Sequence, residues 1–199
     1  MHKRDLNAHA NNLPIAPIGL IHTPFKQAAG TPIQGVAGKS AEGVVELHTE
    51  YLAGLHDLAE FERIWLIYFL NRASDVQMVV HPYMDTTARG VFATRSPARP
   101  NHIGISVVRF LGIEENRLLV ADVDMLDGTP LLDIKPYVPA FDSFAPSRAG
   151  WYANKSAAEV VADDRFEAGK TENELATQAI PTQRCMVLLI SEAAIHCWA

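Results

Sequence analysis

The chain consists mainly of short apolar segments separated by proline and glycine, with one helical pattern among them. Such segments, rich in valine and isoleucine, predict β-strands. Chains that alternate strands with helices form parallel sheets, and only one helix is predicted between these strands. We therefore predict a mainly β fold, an antiparallel β-barrel, because closure removes exposed sheet edges. The candidate strands are residues 15–22, 43–47, 63–70, 76–80, 90–94, 104–111, 117–124 and 130–136.

Residues 50–61 interrupt this series of strands. Tyr51, Leu55 and Leu58, followed by Ala59 or Phe61, recur at helical spacing and predict one amphipathic helix inserted in the barrel. Outside the barrel domain, predicted over residues 14–149, residues 1–13 carry little pattern and predict a flexible arm. Residues 150–199 predict a partly helical C-terminal appendage, with helical spacing over 156–165 and 173–180.

Composition and charge narrow the class of protein. The longest apolar run, residues 64–70, is far shorter than the roughly 18 residues that a membrane helix needs, so we expect no membrane contact. Two cysteines are too few for a disulfide framework and predict a cytoplasmic protein. A net charge of −6 predicts no general attraction to nucleic acid. Any contact with nucleic acid therefore requires a local basic patch.

Several common catalytic signatures are missing from the sequence. Its eight histidines include no pair at zinc-site spacing, and there is no C-x-x-C motif, so we expect no metal. The G-x-S-x-G motif of hydrolases, the phosphate-binding loops and the dinucleotide fingerprint G-x-G-x-x-G are also absent. The common forms of these sites are thereby excluded.

An arginine-rich segment, residues 89–109, is the most informative for function. No acidic residue occurs in it, and its arginines are Arg89, Arg95, Arg99 and Arg109. We predict that a strand over 90–94 delivers Arg95 to a loop that Pro97 and Pro100 stiffen. A guanidinium on a rigid loop suits recognition of a carboxylate or a phosphate. The alternative is a solvated turn whose arginines pair with surface carboxylates.

A second candidate group follows in residues 122–137. Asp124 and Asp127 flank a turn, and the pair Asp127 and Gly128 predicts a hairpin. Asp127 either sets this turn through its side chain or binds hydroxyl or amine groups of a ligand.

A weaker group lies in and after the strand predicted over 63–70. Trp65 is predicted to lie in the core, whereas Asn71 and Arg72 fall at the barrel rim, where ligands often bind. His102, on the arginine-rich loop, is either a group that titrates near neutral pH or a loop hydrogen-bonder.

These motifs occur in an order that resembles one known family. The segment PIGLIHTPF, then GVFATRS-x-x-RPN-x-IG, then DGTP-x-x-DIKPY resemble the TsaA-like family over about residues 15–143. The resemblance implies a β-barrel and a homodimer with its sites near the subunit interface. It also implies S-adenosyl-L-methionine-dependent methylation of N6 in threonylcarbamoyl-adenosine, beside the anticodon of tRNA.

Carried over by motif position, the resemblance implies a set of cofactor contacts, several of them through the backbone. The implied residues are Pro32, Ile33, Gln34, Asn71, Arg72, Arg95, Ile105, Asp127, Gly128, Thr129, Pro130 and Leu131. The chain departs from the family pattern at Ile33, Arg63, Asn71, Arg72, His81 and His102.

Catalytic roles are hypothesised for two residues. Arg95 would bind an anionic group, either the cofactor's carboxylate or that of the acceptor. Asp124 would take the N6 proton or contact a ribose. Two further functions remain open: a methyltransferase of the same fold with a small-molecule acceptor, and a non-catalytic S-adenosyl-L-methionine-binding module.

Overall fold

A computed structural model describes residues 14–35, 40–144, 147–155 and 160–167. Its strands are β1 (Gly19–His22), β2 (Glu42–Leu47), β3 (Arg63–Phe69), β4 (Val79–Val80), β5 (Arg89–Gly90), β6 (Ile103–Glu114), β7 (Arg117–Ala121) and β8 (Thr129–Pro136). Six of them form a closed antiparallel barrel in the order β1-β2-β7-β6-β3-β8, while β4 and β5 pair separately. The prediction of a mainly β chain built on an antiparallel barrel is confirmed.

Alternating side chains fill the interior of the barrel. On β3, Ile64, Leu66 and Tyr68 are buried and the residues between them are partly exposed. This two-residue period places one face of each strand inside the barrel. Trp65 is on the other face of β3, half-buried, with its ring centroid 5.8 Å from that of Tyr137. The prediction that Trp65 lies in the core is therefore wrong, because it is one position out of phase with the buried residues.

Three of the connections between barrel strands leave the same end of the barrel. They are the β1–β2 connection, the β3–β6 connection that contains the arginine-rich loop, and the β7–β8 connection. The β2–β3 connection, with its two 3₁₀-helices, and the β6–β7 turn at Glu115 and Asn116 lie at the opposite end. Antiparallel pairing thus gathers the candidate site segments at one rim.

The helix predicted over 50–61 is wrong in type. The segment forms two 3₁₀-helices, Thr49–Leu55 and Leu58–Glu60. Asp57, between them, has φ 63°, a left-handed conformation that cannot continue a right-handed helix. After β8 comes a single helical turn, α1 (Pro139–Asp142), and no helix in the described ranges is long and apolar enough to cross a membrane.

The strand predicted over 90–94 is also wrong beyond its first residue. Val91–Ala93 form a 3₁₀-helix, and the Thr94 hydroxyl donates to the Val91 carbonyl at 2.9 Å. That bond stabilises the turn in place of a β ladder.

Farther along the chain, the helix predicted over 156–165 is wrong for residues 160–165, which are not helical. Val161 instead forms an antiparallel bridge with Pro32. Residues 156–159, the helix predicted over 173–180 and the arm over 1–13 lie outside the described residues.

The hairpin predicted at Asp127 and Gly128 is wrong as well. β7 pairs with β2 and β6, whereas β8 pairs with β1 and β3, so the two strands are not neighbours in the barrel. Gly128 retains the positive φ of a turn, 73°. The β7–β8 connection instead crosses the end of the barrel to reach β1. There the Asp127 and Gly128 amides donate to the carbonyls of Phe25 and Ile21.

Replacing Gly104 should destabilise the barrel through Tyr68. Gly104 is opposite Tyr68 in the β3–β6 register, and a Cβ atom there would lie 2.1 Å from Tyr68 Cε2. Gly104→Ala should lower the free energy of unfolding by about 1–3 kcal/mol, measured by urea denaturation. At Gly54 a Cβ meets nothing within 4 Å, so Gly54→Ala is the matched control. Equal stability of the two variants would contradict this packing.

Candidate active site

A cavity of about 630 Å³ opens at the rim where the β1–β2, β3–β6 and β7–β8 connections meet. Its volume lies within the range of roughly 300–1,000 Å³ that is typical of small-molecule sites. Its wall is formed by the three connections, by the first residues of β6, and by parts of 149–155 and 162–167. Its charged lining residues are four basic and two acidic: Arg72, Arg95, Arg99, Lys155, Asp124 and Glu167. The cavity lining therefore carries a net positive charge, although the net charge of the whole chain is negative.

Asp124 presents a hydrogen-bonded carboxylate to this cavity. Ser106 Oγ donates to Asp124 Oδ1 at 2.6 Å, and the Tyr68 hydroxyl lies 2.9 Å from Ser106 Oγ. The backbone N–H of Gly35 also donates to this carboxylate. Burial raises the pKa of Asp124 to about 6, although the hydrogen bonds and the Arg95 charge act in the opposite direction. A carboxylate with this pKa can accept a proton near neutral pH.

Two arginines of the arginine-rich segment form ion pairs with partly buried carboxylates. Arg89 Nη2 lies 2.7 Å from Asp85 Oδ2, and Arg109 Nε lies 3.1 Å from Asp122 Oδ2. Neither arginine lines the cavity. For these two, the structure shows the pairing with carboxylates that the alternative predicts, but the carboxylates are partly buried and not on the surface.

The other two arginines of the segment face the cavity. Arg95 Nη1 donates to Gln34 Oε1 at 2.6 Å, and Arg99 Nη1 to the Thr94 carbonyl at 3.5 Å. Both partners are neutral, and in the part of the chain that the structure describes neither arginine forms a salt bridge. Their charges are therefore available to an anionic ligand.

Side-chain hydrogen bonds make the loop under these arginines rigid. The Ser96 amide donates to Thr94 Oγ1 at 3.2 Å, and the Ala98 amide to Ser96 Oγ at 3.3 Å. His102 Nδ1 is 2.9 Å from the Pro97 carbonyl, so His102 acts as a loop hydrogen-bonder here. Buried polar contacts hold the loop, in addition to the ring constraints of its prolines.

Residues 160–167 form one side of the cavity. Besides the Pro32–Val161 bridge, Ala73 bridges Glu167, whose carboxylate pairs with the Arg72 guanidinium. Phe166 is buried and packs edge-on against Tyr83, with ring centroids 5.3 Å apart. This segment therefore attaches to both the β1–β2 and the β3–β6 connections.

The structure brings most of the predicted site residues together at this cavity. Its lining includes Pro32, Ile33, Gln34, Asn71, Arg72, Arg95, Ile105, Asp124 and Thr129. It does not include Asp127, Gly128, Pro130 or Leu131.

Asp127 instead faces the neighbouring β1–β2 connection. It accepts from Lys26 Nζ at 2.7 Å and from the Thr23 amide at 3.1 Å, and the Lys26 contact holds the pKa of Asp127 below its usual range. Leu131 is fully buried in the barrel core. Both side chains therefore contact other parts of the barrel and not the cavity, and the cofactor contacts that the resemblance implies for them stay a prediction.

Several cavity residues were missed by sequence reasoning. Ser106 is a buried polar residue at an inward position of β6, and this break in an apolar face is a signal that could have been noticed. Tyr68 is hidden in an apolar run, where it looks like a core residue. Trp151 and Tyr152, whose rings stack at 3.7 Å, follow the barrel in a segment without a strand pattern. No local signal places that segment at the cavity.

Comparison with known proteins gives the family. The family model of the N-terminal domain of tRNA-methyltransferase O, TrmO, matches residues 20–143. The chain belongs to the TrmO family. The TsaA-like resemblance read from the motifs is thereby confirmed.

Relatives and solved structures of the TrmO family agree with this assignment. A probable S-adenosyl-L-methionine-binding protein of Pyrococcus abyssi is 56% identical over 135 residues, 68% of this chain and 73% of that protein. The mouse tRNA (adenine(37)-N6)-methyltransferase is 33% identical over 67% of this chain, which corresponds to 33% of the mouse protein. The crystal structure of TrmO from Pseudomonas aeruginosa is 38% identical with a TM-score of 0.60, covering 70% of this chain and 62% of that one. The chain thus spans less than two thirds of the Pseudomonas structure and one third of the mouse enzyme.

The raised pKa of Asp124 predicts a pH-dependent stability. Between about pH 4 and pH 6, Asp124 is protonated in the folded protein but ionised in the unfolded chain. The free energy of unfolding therefore falls as the pH rises through this window. A difference of about two pKa units between the folded and unfolded states corresponds to roughly 3 kcal/mol in the free energy of unfolding. Asp124→Asn should therefore gain stability relative to the native protein between pH 4 and pH 7, measured by urea denaturation. The exposed Asp75→Asn variant is the control, and parallel curves for native protein and Asp124→Asn would contradict the burial of this carboxyl.

Proposed function

We propose that this TrmO-family chain is an S-adenosyl-L-methionine-dependent methyltransferase that methylates N6 of threonylcarbamoyl-adenosine next to the tRNA anticodon. The observation that carries the proposal is the pairing, in one cavity, of an ionisable carboxylate, Asp124, with two arginines that have no carboxylate partner among the described residues. The names of the relatives support the donor and the tRNA acceptor.

The lining of the cavity fits the donor. The rings of Tyr83, Trp151 and Tyr152 and the Asp124 carboxylate suit a sulfonium cation. Arg95 or Arg99 suits the donor's carboxylate, and apolar residues such as Ile33 and Leu70 suit an adenine ring. When bound, this donor supplies a methyl group already activated by the positive charge on sulfur.

The residues of the chain have two tasks in this reaction. Arg95, on its rigid loop, orients an anionic group, either the donor's carboxylate or the threonyl carboxylate of the acceptor. Asp124 accepts the proton that the acceptor nitrogen loses when it gains a methyl group, while the electrons of the broken N–H bond stay on nitrogen. The enclosing wall of 160–167 limits water around both groups.

The basic rim supports a nucleic-acid acceptor. Arg95, Arg99 and Lys155 lie on one rim of a chain whose net charge is −6. A site of this kind attracts phosphates locally although the whole chain does not. We place this activity in the cytoplasm, as the cysteine content predicts.

The direct test is methylation of tRNA by the purified protein. Incubation with S-adenosyl-L-methionine and tRNA should add one methyl to threonylcarbamoyl-adenosine, detected by mass spectrometry of the nucleosides. The rate at low tRNA concentration should fall steeply between about 50 and 200 mM salt, because phosphate contacts release counterions. Calorimetric binding of the donor without any methylation would indicate a binding module instead. Methylation of a free nucleoside with no salt effect would indicate a small-molecule enzyme.

Arg95→Ala should weaken this reaction selectively. Loss of a charge-assisted hydrogen bond corresponds to roughly a 10- to 100-fold loss in kcat/KM for the donor or for the tRNA. Arg117, exposed at the opposite end of the barrel, provides the control variant Arg117→Ala. Normal methylation by Arg95→Ala would reject the role of Arg95.

A homodimer is part of the proposal. Met78, Val79 and Phe92, on and beside the β4–β5 ribbon, are 54%, 62% and 73% exposed, which supports an apolar interface there. Phe92→Ser should dissociate the dimer at micromolar concentration in sedimentation velocity, whereas Phe141→Ser, on α1, should not. A monomeric native protein would contradict the dimer.

A further inference from the structure

The Asp124 carboxylate is the last member of a hydrogen-bonded chain that begins inside the barrel. Tyr68 of β3, Ser106 of β6 and Asp124 after β7 come from three neighbouring parts of the barrel wall. Tyr68 and Ser106 are 6% and 5% exposed, and all three residues line the cavity. The hydroxyls therefore have little access to water outside the cavity.

The direction of this chain follows from the number of available protons. An ionised carboxylate only accepts hydrogen bonds, so the single hydroxyl proton of Ser106 points to Asp124 Oδ1. With that proton engaged, Ser106 Oγ can only accept from Tyr68, whose hydroxyl must donate. Burial also raises the pKa of Tyr68 above its usual value, so the phenol stays neutral. Tyr68 is therefore a donor at the start of the chain and not a base.

We propose that Ser106 and Tyr68 are positioning residues for proton transfer: they orient Asp124 and keep it ionised, ready to accept the proton of the methyl acceptor. This inference rests on the proposed function and goes beyond it by naming the residues that prepare the base. The proton leaves the acceptor nitrogen and binds the Asp124 carboxylate, whose Oδ1 already accepts from Ser106. Methyl transfer forms the N–C bond and breaks the S–C bond, whose electrons stay on sulfur. The sulfonium charge is thus lost as Asp124 takes up the proton, and no other co-reactant is needed.

Other groups around Asp124 also affect its ionisation, some through hydrogen bonds and others through charge. The Gly35 amide donates from the β1–β2 connection, and Arg95 supplies a positive charge from the arginine-rich loop. Tyr68 adds no charge of its own, because burial and, to a lesser extent, the Asp124 charge raise the pKa of its phenol. Of the groups named, only Ser106 is a removable side-chain donor in direct contact with Asp124, so its substitution isolates the hydrogen-bonded chain.

The test compares pH profiles. In Ser106→Ala, the acidic limb of the kcat profile should move to higher pH by about one unit or more, because a hydrogen bond to the ionised form is lost. At a pH within the shifted limb the rate should fall about tenfold, with much of it recovered at pH 8.5. Ser106→Thr should restore the native midpoint. Tyr68→Phe, which keeps the ring that packs on Gly104, should shift the midpoint by a smaller amount in the same direction.

A second readout does not depend on methyl transfer. In the donor-free protein with ¹³Cγ-labelled aspartate, the NMR titration of Asp124, assigned with Asp124→Asn, should shift in Ser106→Ala as the rate profile does. Ser143→Ala, an exposed serine outside the cavity lining, should change neither curve.

The outcomes separate this proposal from the proposed function. Matching shifts in both titrations, with rescue by threonine, support positioning. A lower rate at every pH with an unmoved midpoint overturns it, because that pattern reflects structural damage alone. A shifted NMR titration with an unmoved rate profile also overturns it, because Asp124 is then not the proton acceptor. If the native protein methylates no tRNA, the proposed function fails and the hydrogen-bonded chain has only a structural role.

Discussion

The central constraint on this site is the cost of holding a carboxylate below the surface of the cavity. Burial disfavours the charged form of Asp124, and the hydrogen bonds from Ser106 and Gly35 offset part of that effect. The Gly35 bond requires a close backbone approach, because a Cβ atom on Gly35 would lie 2.6 Å from the Asp122 carbonyl oxygen. The barrel wall and the β1–β2 connection must therefore fit together closely for the carboxylate to remain ionisable.

Residues outside the cavity help to place this carboxylate. Asp122 has φ 67°, an unusual backbone conformation for a residue other than glycine, and its side chain accepts from both Arg63 and Arg109. This turn sends Val123 into the core, fully buried, and Asp124 to the cavity. The Asp122 side chain is only 17% exposed, and this three-residue cluster holds the strained turn that leads to the site. Arg109 thus contributes to the site through the turn that it holds.

Sequence reasoning predicted the barrel and much of its rim, and the reasons for its errors are physical. The valine- and isoleucine-rich strands fill a closed barrel, so their local pattern agrees with the fold. The errors fall where local and tertiary preferences differ: Asp57 breaks a helical pattern by its left-handed backbone, and β7 and β8 are separated by the barrel order although their connection is short. Charge alone could not separate Arg95 from Arg89, because only the fold shows that Asp85 neutralises Arg89. Ser106 escaped notice because its role depends on residues from two other elements.

The most direct test of the account is a crystal structure of the protein with S-adenosyl-L-homocysteine. The account predicts that the ligand fills the cavity between Asp124 and Arg95, with its carboxylate on a guanidinium and its sulfur facing the Asp124 side. A ligand bound elsewhere, for example in the depression beside His22, Lys26 and Asp127, would contradict it. An empty cavity at saturating ligand concentration would contradict it equally.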